Sequence, residues 1–212
     1  MSGVPSGGPR RLKIAAVVLA AGRSSRFGRR NKLLEPIDGI AMVRRVALAA
    51  RASGARPVIA VTGHEAARVA DALAGAEVTT VLNQDCEQGL SLSLRVGLRA
   101  LPSGCDGAII LLGDMPAIGE GELKALISAF VARDGEGVCV PVRHGRRGNP
   151  VLWGARFFAE IAALSGDAGA KALLRRHADQ VIEVEMDTDA IFADIDARAD
   201  LDHLSATFDQ RK

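Results

Sequence analysis

The chain has 212 residues, of which 48% are hydrophobic, 25% charged and 3% aromatic, and its formal net charge at pH 7 is +2. This length and hydrophobic content allow one sizeable core, and no segment resembles a linker between independent domains. The small net charge and the scarcity of aromatic rings argue against polynucleotide binding, which needs a basic surface and stacking platforms.

Residues 1–11 are rich in Gly, Pro and Ser, so we expect a disordered tail there and one domain over residues 12–212. The tail lacks the apolar stretch of a secretion signal, and no apolar run is long enough to cross a bilayer. The three cysteines are isolated, which predicts free thiols and neither a disulfide framework nor a zinc site. We therefore expect a cytoplasmic protein that contacts no membrane.

Short apolar runs alternate with segments of helical period along the chain. This alternation predicts a single-domain α/β fold with a doubly wound, mostly parallel sheet. Because ligands of such sheets bind outside the carboxyl ends of the strands, we expect the loops at 22–32, 83–93 and 113–116 to line one crevice. The predicted strands are 14–19, 58–61, 78–82, 108–112, 138–142 and 181–184, and the helical periods cover 42–50, 90–101 and 123–130.

The first strand runs into a turn of small residues and then into a basic segment. Ala20, Ala21 and Gly22 let the backbone turn sharply and come close to a ligand. Backbone N–H groups and cations at a strand end are the usual binding site for phosphate, so the segment predicts a nucleoside triphosphate site. A surface loop of solvated arginines is the alternative. Five basic residues lie within ten positions: Arg23, Arg26, Arg29, Arg30 and Lys32.

Asp114 follows the apolar run at 108–112 in the sequence GDMP. Mg²⁺ prefers one or two protein carboxylates together with phosphate oxygens, and an aspartate at a strand end opposite a basic loop supplies this. Asp194 and Asp196 flank Ile195, so in an extended segment both carboxylates point the same way while the isoleucine enters the core. We therefore predict a Mg²⁺ site formed by Asp114 with Asp196 or Asp194. An aspartate that only shapes a tight turn is the alternative for Asp114.

The early loop closely resembles the signature of pyrophosphorylase-type nucleotidyltransferases, LAAG-x-S-x-R-M-G with a lysine a few positions on. Phe27 stands in place of the methionine and keeps an apolar side chain there. The resemblance implies that the LAAG backbone holds the β- and γ-phosphates. It also implies catalytic roles for Arg26 and Lys32, which would balance charge on the α-phosphoryl group and the leaving pyrophosphate, and for Asp114. The matching positions are Leu19, Ala20, Ala21, Gly22, Ser24, Arg26, Gly28 and Lys32.

Later segments resemble the cytidylyltransferases of molybdenum-cofactor maturation: GLSLSL at 89–94, GNPVLW at 148–153, GDAGAKALL at 166–174 and DIDARADL at 194–201. The last departs from a DIDTPEDL-like family pattern at three positions, which removes a capping hydroxyl and a first-turn proline and would loosen the following helix. The resemblance implies base and ribose contacts at Asn83, Gly89, Ser91 and Ser93, although helix capping alone would also explain Ser91. It implies an acceptor site at Gly148, Asn149, Pro150, Gly166, Asp167 and Gly169.

These resemblances imply a Rossmann-like, GT-A-like nucleotidyltransferase domain with Mg²⁺ as its cofactor. The implied reaction transfers CMP from CTP to the terminal phosphate of molybdopterin, releasing pyrophosphate and forming a cytosine dinucleotide cofactor. A molybdenum hydroxylase or its chaperone is implied as a transient partner. Three alternatives stay open: a guanylyltransferase acting on the same pterin, a sugar-phosphate nucleotidyltransferase, and an inactive nucleotide-binding partner in cofactor insertion. LAAG instead of LAGG, together with GLSLSL, favours cytidine.

Overall fold

The computed structural model describes residues 11–23, 27, 30–166 and 170–201. Apart from Arg11, the predicted tail lies outside these residues. The strands are β1 (Ile14–Ala20), β2 (Pro36–Ile37), β3 (Ile40–Ala41), β4 (Val58–Thr62), β5 (Thr79–Leu82), β6 (Gly107–Leu112), β7 (Val138–Arg143), β8 (Arg146–Arg147), β9 (Val151–Gly154) and β10 (Val181–Glu185). The α-helices are α1 (Met42–Ala52), α2 (Ala66–Leu73), α3 (Leu90–Arg99), α4 (Glu120–Val131), α5 (Phe158–Ala162) and α6 (Lys171–Arg176).

An eight-stranded sheet has the order β10–β7–β9–β6–β1–β4–β5, and β8 pairs with β7 at the side. The central strand β1 is parallel to both β4 and β6, with Ala16 opposite Val58 and Ile109. Only β9 interrupts this order, because it runs antiparallel to both neighbours, β6 and β7. The predicted fold, a single α/β domain built on a mostly parallel sheet, is confirmed.

The strands follow the sequence prediction closely. Each of the six predicted strands is present, with ends within one residue of the expected positions. The six predicted strands do not include β9, although Gly148, Asn149 and Pro150 before it predict the turn of a hairpin. The sequence also did not predict α2 and α5, which have eight residues or fewer and therefore show little helical periodicity.

The core forms two layers, one on each face of the sheet. Successive β1 side chains point to opposite faces, so Ala16 and Val18 pack with α1, α2 and α4, while Val17 and Leu19 pack with α3, α5 and α6. All seven residues of β1 are buried. Gly97 brings α3 close to the sheet, because a Cβ there would lie 2.4 Å from Val17 Cγ1.

The packing of α3 fixes the position of its first turn at the carboxyl edge of β1 and β4.

No helix within the described ranges combines the length and apolar character that a bilayer crossing requires.

Candidate functional site

A cavity of about 700 Å³ lies at the carboxyl edge of the central strands. The three loops that the sequence analysis expected to meet all contribute to it, at 22–32, 83–93 and 113–116. A fourth segment, near residue 196, joins them from the C-terminal part of the chain. The lining residues are Leu19, Ala21, Gly22, Arg23, Lys32, Leu33, Cys86, Glu87, Gly89, Leu90, Ser93, Leu112, Asp114 and Asp196.

Lys32 lies between two carboxylates in this cavity. Its Nζ is 2.7 Å from Asp114 Oδ2 and 3.3 Å from Asp196 Oδ1, and it donates a hydrogen bond of 2.7 Å to the carbonyl oxygen of Ile195. Only 12% of the lysine side chain is exposed, against 21% for Asp114 and 39% for Asp196. One basic and two acidic groups from three distant stretches of sequence therefore meet at one point.

The backbone on either side of the cluster is held by specific hydrogen bonds. Asn31 is buried, and its Oδ1 accepts the N–H of Leu33 at 3.1 Å, which caps the 3-10 helix Lys32–Leu34. The N–H of Ile195 donates to the carbonyl oxygen of Asp114 at 2.9 Å. This bond joins the C-terminal segment to the end of β6, so the two carboxylates hold their separation.

Asp200 compensates for the altered DIDARADL segment. One carboxylate oxygen, Oδ2, accepts the N–H groups of Asp196 at 2.9 Å and Ala197 at 2.7 Å. A side chain that reaches back to the start of a helical turn in this way is half of a capping box. The loosening expected from the loss of the family's Thr and Pro is therefore offset by an acid that the sequence retains.

The expectation that Asp194 and Asp196 point the same way is wrong. Asp196 lines the cavity that contains Lys32, whereas Asp194 is exposed and lines a neighbouring cavity. The segment is not an extended strand, because the N–H of Asp194 donates to the carbonyl oxygen of Phe192 in a tight turn at 3.1 Å. Of these two carboxylates, Asp196 is the one that faces Asp114 across the lysine.

The predicted base and ribose residues divide into two groups. Gly89 and Ser93 line the cavity, whereas the buried Asn83 and Ser91 line neither cavity. Asn83 is part of an internal network: its Nδ2 donates to Ser93 Oγ at 2.9 Å, and its Oδ1 accepts the N–H of Asp85 at 3.1 Å. Asn83 therefore orients Ser93 from behind and lines neither cavity.

Two glycines that the sequence analysis missed bring the backbone segments together. A Cβ at Gly63 would lie 2.8 Å from the carbonyl oxygen of Ala21, and one at Gly113 would lie 2.9 Å from that of Leu19. A Cβ at Gly22, by contrast, would meet no atom of the described residues within 4 Å. Gly63 and Gly113 therefore serve the packing, and the ligand contact predicted at Gly22 stays a prediction.

A second cavity of about 690 Å³ adjoins the first and shares three apolar wall residues with it. Among the residues that the structure describes, four cations line it, against one carboxylate, that of Asp194. The Arg146 guanidinium lies 4.6 Å from the centre of the Phe192 ring, and Arg147 Nε lies 2.8 Å from Glu183 Oε1. The four cations are Arg146, Arg147, Lys171 and Arg175.

Lys171 and Arg175 were not predicted as site residues from the sequence. They lie four residues apart on α6, so they share one face of that helix. Among the described residues, neither forms an ion pair. The available signal was the pair of basic residues four positions apart in the sequence KALLR. A helix of six residues is too short for that spacing to stand out as a helical period.

The predicted acceptor residues lie partly in this second cavity. Gly148 and Asn149 line it, and Pro150 is buried beside them. Gly148 also allows close packing, because a Cβ there would lie 2.5 Å from the carbonyl oxygen of Ile191. The carbonyl of Gly166 accepts the N–H of Ser91 at 3.4 Å. Five further positions of the predicted motifs lie outside the described residues: Ser24, Arg26, Gly28, Asp167 and Gly169.

The donor set suits a divalent cation that keeps open coordination positions. Within the described ranges, no group of three or more His, Cys, Asp or Glu residues could form a closed metal site. Asp114 and Asp196 provide two carboxylates, and the Lys32 ammonium lies between them. Two carboxylates with room for phosphate oxygens match the way proteins bind Mg²⁺.

His177 has a structural environment. Its Nε2 lies 2.9 Å from Glu160 Oε2, and its ring packs edge-on against Phe157. The hydrogen bond with His177, together with the charges of His177 and Arg176, keeps the pKa of Glu160 below its ordinary value. His144 is exposed at the turn between β7 and β8.

The fold and this arrangement of groups define a nucleotidyltransferase-type domain. The family model described as the MobA-like NTP transferase domain matches residues 16–181, and the chain belongs to that family.

Solved structures share this architecture over nearly their whole length. Rv0371c from Mycobacterium tuberculosis H37Rv is 29% identical, with a TM-score of 0.81 over 92% of this chain and 98% of the other. The same protein is also known in complex with manganese, at a TM-score of 0.79. A nucleotidyl transferase from Methanothermobacter thermautotroptrophicus is 27% identical, with a TM-score of 0.82 over 94% and 99% of the two chains.

Among curated proteins, the bifunctional protein GlmU of Clavibacter sepedonicus is 36% identical over 126 residues, which cover 58% of this chain. The match spans 26% of the length of that protein.

Proposed function

We propose that this protein transfers CMP from CTP to the terminal phosphate of molybdopterin, releasing pyrophosphate and forming a cytosine dinucleotide cofactor. The observation that carries the proposal is the meeting of Lys32, Asp114 and Asp196 in a cavity that opens beside a second, basic one. Two adjoining cavities suit two substrates, with the reacting phosphates at their junction.

In the first cavity, the turn after β1 would hold the triphosphate. Lys32 and Arg26, the latter outside the described residues, would balance the charge that builds on the α-phosphoryl group and the leaving pyrophosphate. Asp114 and Asp196 would hold Mg²⁺, which supplies charge neutralisation at the phosphate oxygens when bound. The manganese complex of the related Rv0371c supports a divalent cation in this role.

In the second cavity, the basic residues would bind the acceptor. An oxygen of its terminal phosphate would attack the α-phosphorus of CTP, and the bond from that phosphorus to the pyrophosphate oxygen would break. A phosphate monoester is already ionised at neutral pH, so this step needs alignment and charge stabilisation more than a general base. Arg146, Lys171 and Arg175 supply positive charge, and Trp153 contributes an aromatic wall.

The choice of cytidine rests on LAAG and GLSLSL. Gly89 and Ser93 of the latter segment line the first cavity, where they would lie next to the base. A guanine has a larger ring and a different pattern of donors and acceptors, so the same loop would bind CTP and GTP with different affinities. Direct comparison of the two triphosphates tests this.

The experiment is magnesium-dependent pyrophosphate release by the purified protein with each of the four triphosphates, measured without an acceptor, with molybdopterin and with a sugar phosphate. We expect release only when CTP and molybdopterin are both present. Release with GTP instead would support the guanylyltransferase alternative, and release with a sugar phosphate as acceptor would support the sugar-phosphate nucleotidyltransferase. No release with any pair would contradict the proposed activity and favour an inactive nucleotide-binding partner.

The Lys32→Ala variant tests the centre of the site. Loss of one such cation costs about 3 kcal/mol of transition-state stabilisation, so we expect turnover to fall by roughly a hundredfold while the far-UV circular dichroism spectrum stays that of the folded protein. Lys124→Ala is the matched control, because Lys124 lies exposed on α4, where it pairs with Glu120. Near-normal turnover of the Lys32 variant would refute the role.

A further inference from the structure

We infer that the Lys32 ammonium excludes a divalent cation from Asp114 and Asp196 while no nucleotide is bound. The metal then enters together with the triphosphate, and Lys32 turns from the carboxylates to the phosphates as it does so. This inference rests on the proposed function and adds to it the form of the substrate, a metal–nucleotide complex, and the order in which the ions arrive.

The ammonium occupies the position that a metal would need. An ammonium has three N–H donors, and within the described residues Nζ lies close to one oxygen of Asp114 at 2.7 Å, the carbonyl of Ile195 at 2.7 Å, and one oxygen of Asp196 at 3.3 Å. Asp114 and Asp196 are the carboxylates proposed to hold the metal. The lysine and the metal therefore compete for the same oxygens.

Simultaneous occupation would bring like charges close together. Mg²⁺ binds carboxylate oxygens at about 2.1 Å. A cation so close to Asp114 Oδ2 would lie within roughly 5 Å of an ammonium that is 2.7 Å from the same oxygen. The lysine side chain is mostly buried, so water screens the repulsion only partly. The free metal must therefore displace Lys32 at a cost that lowers its affinity.

A triphosphate removes this cost because it gives the ammonium new partners. Its oxygens can accept hydrogen bonds from Lys32 and can also fill the remaining coordination positions of the metal. Since Asn31 fixes the backbone beside Lys32, only the flexible four-carbon side chain needs to move. The Lys32 side chain then has two alternative positions: one in contact with the two carboxylates, and a proposed one in contact with the phosphates.

The test is Mn²⁺ binding in the absence of nucleotide, measured by electron paramagnetic resonance on the whole protein. We expect Lys32→Met to bind Mn²⁺ at least tenfold more tightly than the wild type, because the competing charge is gone. Lys124→Met is the control and should bind as the wild type does. Adding Asp114→Asn to the Lys32 variant should abolish the gain, which assigns the bound ion to this cluster.

An unchanged or weaker Mn²⁺ affinity of Lys32→Met would overturn the inference. Lys32→Gln provides a second variant if methionine prevents folding, with urea unfolding as the check on both, and the same gain in affinity is expected. Because this measurement uses neither nucleotide nor acceptor, its outcome is independent of pyrophosphate release. A protein that shows the gain but releases no pyrophosphate would contradict the proposed function and leave the competition standing.

Discussion

Gly113→Ala tests whether the packing behind the site sets the position of its aspartate. Gly113 lies directly before Asp114, and its N–H donates to the carbonyl oxygen of Leu19 at 2.9 Å. An added Cβ would lie 2.9 Å from that same oxygen and 3.4 Å from Leu33 Cδ2. Ordinary contacts between carbon and oxygen begin at about 3.3 Å, so the two strand ends must separate by roughly 0.4 Å.

Overpacking of this kind costs about 1–3 kcal/mol of the free energy of unfolding. A misplacement of 1 Å at a reacting centre costs about a hundredfold in rate, so a shift of roughly 0.4 Å predicts a loss of about fivefold to tenfold. The measurements are urea unfolding and pyrophosphate release. Gly121→Ala is the control, because a Cβ at Gly121, near the start of α4, would meet no atom within 4 Å.

Wild-type stability of Gly113→Ala would refute the packing argument. Lower stability with unchanged turnover would refute the link between this contact and the placement of Asp114.

Two further predictions follow from perturbed pKa values. Burial raises the pKa of Cys139 to about 11, so its thiol is neutral at pH 8. We therefore expect iodoacetamide to label the partly exposed Cys86 first and Cys139 only in urea. Equal labelling of the two cysteines in the folded protein, measured by mass spectrometry, would contradict this. The pKa of Glu160 lies below its unfolded value, mainly through the hydrogen bond with His177, so its contribution to stability is present above the unfolded pKa and is lost as the pH falls through the folded one. Glu160→Gln should therefore lower the urea midpoint at pH 7 and have less effect at about pH 3, whereas an equal effect at both would exclude this linkage.

The sequence predicted the sheet well because its parallel strands are nearly continuous apolar runs. The seven buried residues of β1 are of this kind, and they also predict where the loops must meet. Strand β9 was not predicted, because an apolar run of four residues is too short to be told from a loop by its pattern alone.

The sequence predicted those site residues whose chemical type alone indicates their role. A strand-end Asp114 and a basic loop ending in Lys32 were both found, and the structure places them in contact. Asn83 was expected to face a ligand, but it hydrogen-bonds Ser93 inside the protein. Side-chain direction depends on packing partners that lie far away in the sequence, so residue type alone could not separate these two cases.

The reversal of β9 has a consequence for how the two cavities can diverge between relatives. Since β9 runs opposite to β7, the chain that leaves β7 and enters β9 stays at one edge of the sheet, and residues 144–150 need no crossover helix. This short excursion supplies Arg146, Arg147, Gly148 and Asn149 to the second cavity. Insertions or exchanges there would reshape the second cavity and leave β1, β4 and β6 in register, so the lining of one cavity can change in evolution while the lining of the other is preserved.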